Sequence, residues 1–346
     1  MSGDLLGGVL RRTSRTFYLS LTILPRPLRE PIGLAYFLAR VTDSVADTRL
    51  LPRLHRREHL EVLRAAYRGA AVDVAAIGRE CAPLQAHFAE RELVERVGEA
   101  LARVERLPPH DRDAVRGVLA TITEGQLFDL DHFAGDSAAT LSALPTFDDL
   151  DRYIFLVAGC VGEFWTAMHL AHRPRLARWD RADMTARGIR FGKALQLTNV
   201  LRDVPADLRD GRCYIPAHEL ATVGLAPRDL LEPAATARAR PVLDHLLRVT
   251  LAHYDDAWRY ALAIPRAEWR MRLACVWPLL IGLATLAAIA QHPDPLAARR
   301  PIKVSRGGVR GILARSIAVF WSDDALRAEA ARLSSPLRAV REGRTV

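Results

Sequence analysis

Lysine is almost missing from this chain. Lys193 and Lys303 are the only two, and every other one of the 49 basic residues is arginine. That bias reflects GC-rich coding rather than nucleic-acid binding, because no basic patch is interleaved with aromatics. Cysteine is also scarce. Cys81, Cys160, Cys213 and Cys275 stand far apart with no Cys-x-x-Cys spacing, which argues against a zinc ribbon or redox pair and reads as small buried hydrophobes. No secretory leader is recognisable, since Met1–Arg12 is too short and too polar. With unpaired cysteines, this predicts a reducing cytoplasm. Alternating β-branched runs are scarce, which argues against a sheet-based fold. A Gly-x-Gly-x-x-Gly fingerprint is lacking too; Gly307 to Gly311 does not match it. Nor are there internal repeats, low-complexity stretches or a clear domain boundary. One domain over residues 1–346 is expected, with short flexible ends at 1–10 and 335–346.

What remains is a helical composition. Half of the residues are hydrophobic, and Ala, Leu and Arg dominate. The fold class expected is all-α. The net charge of +9 favours anionic substrates or an anionic membrane surface.

Two stretches organise the chain. In Gly33–Asp47, Tyr36, Arg40, Asp43 and Asp47 are spaced 4, 3, 4; in Phe191–Pro216, Gln196, Asn199, Asp203 and Asp207 are spaced 3, 4, 4. Each set makes one polar stripe on an otherwise apolar helix. Aspartates at i and i+4 share a helix face and repel, so the arrangement costs stability unless a cation sits between them. Oxygen ligands without His or Cys suit Mg2+ shared with phosphate and water. Ordinary solvent-facing stripes are the plain alternative; two stripes with the same Asp-x-x-x-Asp core weigh against it.

The intervening chain reads as helices. Ser14–Leu24 is a short helix stopped by Pro25 and Pro27, and Leu28–Asp47 is the first site helix, with Pro31 in its opening turn. An outer amphipathic helix falls within Arg49–Gly69. Arg79–Leu107 and Asp111–Phe133 are two more, parted by Pro108 and Pro109. Thr146 and Asp149 form a capping box for a helix through Tyr153–Ala171, whose Ala158, Gly159 and Gly162 permit close packing of a helix or a ligand. Thr185–Asp207 is the second site helix. Pro205 predicts a kink or an end there, and Asp210-Gly211-Arg212 a turn. The stretch Pro216–Pro233 reads as a loop suited to a flap. Arg238–Leu262 is amphipathic. Leu273–Ala290 has 18 residues without a charge, enough to span a bilayer, but Pro278, Gly282 and Thr285 favour a buried helix.

These motifs resemble the squalene and phytoene synthase family, which joins two prenyl diphosphates head to head. Ser14–Phe17 (SRTF), the first Asp-x-x-x-Asp helix, Tyr153–Gly162 (YIFLVAGCVG) and Asn199–Pro216 (NVLRDVPADLRDGRCYIP) match in order, and the likeness runs from about Ser14 to Ser316. Gly125 and Asp129 resemble a weaker motif. The resemblance implies a single-domain isoprenoid-synthase-type helical bundle around a deep central apolar cavity. It implies Mg2+ held by Asp43, Asp47, Asp203 and Asp207, and catalytic roles for Tyr36, Arg40, Tyr153 and Arg212. It implies substrate contacts from Ser14, Arg15, Phe17, Gln196, Asn199 and Tyr214. Lys303 and Arg306, in KVSRGG, resemble a segment serving NADPH in squalene synthases.

The implied reaction joins two farnesyl diphosphates through presqualene diphosphate, with NADPH reduction to squalene. Without reduction the product is dehydrosqualene or phytoene. A terpene cyclase and a non-catalytic helical assembly factor are more distant readings. Some positions depart from the pattern: Ala274 replaces a frequent aromatic, Ser305 an arginine of eukaryotic members, and Ala46 and Ala206 a glutamate. A monomer is expected, cytoplasmic, with at most peripheral contact on the inner membrane surface, because nothing after Ser334 is apolar enough to span a bilayer.

Overall fold

The computed structural model describes residues 5–9, 21–232 and 235–343. The helix-rich composition is realised almost throughout; the only strands among these residues are two of two residues each, β1 (Ser142–Ala143) and β2 (Arg212–Cys213), paired in parallel. The chain divides into two compact units, Met1–Asp131 with Glu163–Trp179, and His132–Gly162 with Asp180–Val346.

In the first unit, α1 (Arg26–Ala46) opens with Pro25 at its N-cap and Pro27 in its first turn, where a missing N–H breaks no helical bond. Pro31 lies past the opening turn, so the helix begins earlier than its spacing suggests. Along α1, Leu34, Phe37, Leu38, Val41 and Val45 are all buried. Helix α2 (Arg53–Tyr67) packs beside α1 and turns Leu60, Leu63 and Tyr67 inward. The Tyr67 hydroxyl is satisfied by Thr42 at 3.0 Å and the Leu38 carbonyl at 3.2 Å. The helix expected over Arg79–Leu107 is in fact broken into α3 (Ala75–Cys81), a 3-10 turn, α4 (Phe88–Glu95) and α5 (Val97–Glu105). Pro83 and the extended backbone of Gln85 and His87 interrupt it. Helix α6 (Pro109–His132) completes this unit's long helices.

In the second unit, Thr146 caps α7 (Phe147–Ile154) in a full capping box with Asp149. A π-turn over Phe155–Gly159 leads into α8 (Cys160–His172), whose residues from Glu163 onward belong to the first unit. Helix α9 (Arg181–Arg209) is capped by Asp180 and carries Pro205 without ending there. The helix continues four residues past the proline, so Asp207 stays in helical register with Asp203. The supposed loop after Pro216 is largely helical: α10 (Ala217–Thr222) and a 3-10 turn, Pro227–Leu231, with Leu220, Leu225 and Leu230 buried. The remainder is α11 (Ala235–Ala263), α12 (Trp269–Gln291), α13 (Arg306–Val319), α14 (Asp323–Leu333) and α15 (Arg338–Arg341).

Helices α9, α11 and α12 form the core of the second unit. Two runs in the described residues are long and apolar enough to cross a membrane, Phe147–His172 and Arg266–Gln291. The apolar window of the latter is 78% buried in the protein, which identifies α12 as the core helix its proline and threonine suggest. Each leucine buried there contributes on the order of 2 kcal/mol, so exposing that face to lipid would forfeit the core. Gly282 admits the Tyr254 hydroxyl, which meets Thr198 at 3.0 Å; a Cβ on Gly282 would fall 1.8 Å from that oxygen. The small residues of the π-turn and α8 also serve packing. A Cβ on Gly162 would lie 1.8 Å from the Gly188 carbonyl oxygen, and one on Gly192 would lie 2.1 Å from that of Ala158. That close approach to α9, rather than ligand clearance, accounts for Gly162 and Gly192.

Candidate active site

The first half of the site lies on α1. Between Pro31 and Asp47 the residues that are not buried are Tyr36, Ala39, Arg40, Asp43 and Asp47, so the polar stripe is the open stripe. Arg40 donates to Asp43 Oδ2 at 3.2 Å and its other nitrogen lies 3.7 Å from Glu90 on α4. Gln126 on α6 donates to Asp43 Oδ1 at 2.7 Å. Asp47 closes the helix as its C-cap, exposed, its N–H bonded to the Asp43 carbonyl. A cavity of about 280 Å3 beside it is lined by Arg40, Ser44, Asp47, Gln85 and Glu90. Asp43 keeps 31% of its side chain open, yet its surroundings are dense. Desolvation therefore pushes its carboxyl up to about 6, against the pull of Arg40 and Gln126 and with the help of Asp47.

The second half lies on α9, in the second unit. Gln196, Asn199, Asp203 and Asp207 are all partly open, while Leu197, Val200, Leu201 and Val204 are buried. Asn199 donates to Gln196 at 3.3 Å. Arg202 grips Asp203 with both arms of its fork, Nε to Oδ1 at 2.9 Å and Nη2 to Oδ2. Asp203, and behind it Asp207, raise the Arg202 guanidinium above its ordinary value. Neighbours at i and i+1 do not face each other on a helix, so spacing alone had not singled out Arg202.

Beyond α9 the expected turn is present. Gly211 adopts φ +84°, and a Cβ there would lie 2.6 Å from the Ser137 carbonyl oxygen. The turn delivers Arg212 into β2 and Tyr214 into the core. Tyr153 and Tyr214 stack with ring centroids 4.7 Å apart and hydroxyls 3.3 Å apart; Phe133 meets Tyr214 edge-on at 5.2 Å. Cys213, between Arg212 and Tyr214 in the chain, has its thiol pushed up to about 12 by burial.

The expected residues thus separate by unit. Tyr36, Arg40, Asp43 and Asp47 share one stripe of the first. Gln196, Asn199, Asp203, Asp207, Arg212, Tyr153 and Tyr214 belong to the second. Ser14, Arg15 and Phe17 lie outside the described residues. Lys303 and Arg306 are exposed at the N-terminus of α13, where Ser305 caps the helix by accepting from the Gly308 N–H at 3.1 Å. Asp129, of the weaker motif, is buried. Lys193 proves structural, bonding both oxygens of Asp151 at 2.7 Å.

No group of three or more His, Cys, Asp or Glu side chains poised for a metal occurs among the described residues. Each half offers two carboxylates one turn apart, the number with which Mg2+ is ordinarily held when phosphate and water complete its shell. The donor set fits that ion. Asp43 Oδ1 and Oδ2 are occupied by Gln126 and Arg40, and Asp203 by Arg202, so positive or donating groups stand where a cation would act.

The profile of the squalene/phytoene synthase family matches residues 10–307. The chain belongs to that family. Its members join prenyl diphosphates head to head. The chain is 30% identical over 280 residues to a phytoene synthase of Arthrospira platensis, covering 78% of each. It is 30% identical over 251 residues to a presqualene diphosphate synthase of Rhodopseudomonas palustris, covering 72% of this chain and 76% of that one. With a squalene synthase of Schizosaccharomyces pombe it shares 26% over 310 residues, 89% of this chain but 64% of the yeast protein. Among solved structures, a ligand complex of TcSQS aligns with a TM-score of 0.73 at 19% identity, covering 97% of this chain and 96% of that one. A dehydrosqualene synthase aligns at 0.63 and 21% identity, covering 90% and 94%. Both show the same all-helical isoprenoid-synthase fold.

Proposed function

We propose that this squalene/phytoene synthase family member joins two farnesyl diphosphates head to head, through presqualene diphosphate, to squalene, with NADPH as reductant. The observation that carries the proposal is the pair of open carboxylate stripes, each flanked by buried apolar residues of its own helix and each inside the span that the family profile matches. Asp43 and Asp47, and Asp203 and Asp207, are the residues that would hold Mg2+; when bound, the ion supplies positive charge to the leaving diphosphate.

The chain's own groups do the rest. Arg40, on the first stripe, and Arg202, bonded to an aspartate of the second, offer guanidinium charge to phosphate oxygens as those oxygens take up the electron pair of the broken C–O bond. Arg212 adds a third such group. The allylic cation left behind alkylates the double bond of the second substrate, and loss of a proton closes the cyclopropane. Tyr36, open on the first stripe, and Tyr153, bonded to Tyr214, are the phenols assigned to hold that proton or face the cation. The reaction requires that water, which would quench the cation, be kept from it. For the reductive step, Lys303 and Arg306 fit the phosphates of NADPH: both are exposed beside a helix N-terminus, where first-turn N–H groups favour anions.

The test is product analysis with farnesyl diphosphate and Mg2+, with and without NADPH. Squalene formed only with NADPH is expected. A second reading, dehydrosqualene or phytoene synthase, draws support from the phytoene synthase relative and the dehydrosqualene synthase fold match. A hydrocarbon unaffected by NADPH, or formed only from a longer prenyl diphosphate, would establish that reading instead. No turnover of any prenyl diphosphate would leave a helical assembly role.

A further inference from the structure

Helix α13 and the segment before it carry a charge pattern that the two carboxylate stripes do not use. From Pro295 to Ser322 there is no acidic residue, whereas Arg299, Arg300, Lys303, Arg306, Arg310 and Arg315 are all exposed. Along α13, Arg306, Arg310, Ala314 and Ile317 fall at intervals of 4, 4 and 3, and each is exposed. These intervals put them on one face. That face is basic at its start and apolar at its end, with about 10 Å along the axis between Arg310 and Ile317. The exposed Trp321 follows two residues past the helix end.

The apolar end is a built patch rather than a stray side chain. Trp321 is 59% exposed, Ile317 48% and Trp269 40%. The Phe320 ring lies 4.0 Å from Trp321 and 6.2 Å from Trp269 between centroids, and the Arg270 guanidinium sits 5.0 Å over the Trp269 ring. The Trp321 indole N–H donates to the Ala318 carbonyl at 3.1 Å, which fixes the ring's outward pose. Nearby carboxylates are already paired, and one of them neutralises Arg315. Asp323 pairs with the buried Arg272, Glu329 with Arg315 at 2.9 Å and Arg332 at 2.7 Å, and Asp324 with Arg327 at 3.0 Å. Little negative charge is left to offset the arginines of the stripe.

We infer that this face docks the protein on an anionic bilayer surface. Tryptophan beside arginine is the composition of a membrane–water interface, where the indole sits at headgroup depth and guanidinium meets phosphate. A protein partner would draw on the same tryptophan and arginine, so the single sign of charge from Pro295 to Ser322 is what favours a uniformly anionic surface. A few basic residues and a few apolar side chains are each too weak to hold a protein alone; combined they give reversible attachment. The inference rests on exposure and charge and is independent of which hydrocarbon the enzyme makes.

Co-sedimentation with lipid vesicles tests it, using the full chain. Vesicles containing phosphatidylglycerol should capture the protein at low salt and release it at high salt, while phosphatidylcholine vesicles should capture little. Trp321→Ala should lower the partition coefficient about tenfold, and Trp321→Phe should retain most of it. Arg310→Glu, which changes two unit charges, should lower it about thirtyfold. Turnover of detergent-dispersed substrate should be unchanged in all three. Equal capture by both vesicle types, or variants that bind like the parent, would overturn the proposal. So would concentration-dependent self-association without lipid that Trp321→Ala abolishes, since the patch would then be a contact between copies.

Discussion

At Asp43 the requirements of folding and of chemistry oppose each other. Its carboxyl is pushed up to about 6 against an ordinary 3.8, so the folded state holds the proton more tightly than the unfolded chain. Stability from this group is therefore greatest below the unfolded value and declines as pH rises from about 4 to about 6, then stays level. Asp43→Asn should stop turnover, yet stabilise the metal-free protein at about pH 8 by roughly 1 kcal/mol, a figure discounted for the open part of the side chain. The gain should vanish near pH 4. Paired denaturation curves at both pH values, read as the difference between variant and parent, measure it. A variant less stable at both values would mean that the Arg40 and Gln126 bonds outweigh desolvation. Asp203→Asn should also stop turnover, but without such a gain, because it weakens the grip of Arg202. That Tyr36, Arg40 and the four aspartates lie on open stripes was legible from spacing alone; the bonds of Gln126 and Arg202 to them were not. Gln126 reaches Asp43 from 83 positions away, and Arg202 acts across an i, i+1 step that helical periodicity treats as divergent.

At the scale of elements, glycines separate packing from propensity. Gly192→Ala places a methyl 2.1 Å from a backbone oxygen of Ala158, which no rotamer change can relieve. It should destabilise by about 2 kcal/mol or more. Gly117→Ala, on an exposed turn of α6 with nothing within 4 Å, should instead stabilise by about 0.5–1 kcal/mol. Urea titration of the two variants checks both signs, and equal effects would refute the packing account of α9. The start of α13 offers a functional counterpart. Lys303 and Arg306 precede or open the helix without pairing to a carboxylate among the described residues. Changing both to alanine should let presqualene diphosphate accumulate while squalene falls. Equal loss of both would assign the segment to folding.

For the whole molecule, metal binding and stability should be linked. If the aspartates hold Mg2+ only in the folded chain, saturating Mg2+ with inorganic diphosphate should raise Tm, by an amount equivalent to about 3 kcal/mol at a hundred times the dissociation constant. The rise should be lost in Asp43→Asn and in Asp203→Asn alike. An undiminished rise in either variant would remove that half-site from metal binding.

The sequence by itself determined the helical class, the two open stripes, the capping box at Thr146, the turn at Gly211 and the burial of α12. Each rests on local periodicity or on a residue whose conformational preference acts within one turn. Tertiary structure decided the rest. It carried α9 through Pro205, because one lost backbone bond costs less than unpacking the surrounding buried leucines and valines. It broke the long helix expected before Leu107 and filled the supposed flap with short helices over Leu220, Leu225 and Leu230. It also gave Gly162 and Gly192 to helix packing, stacked Tyr153 on Tyr214, and set Trp269 beside Phe320. Those outcomes depend on residues far apart in the chain, and no local pattern encodes which of them will meet.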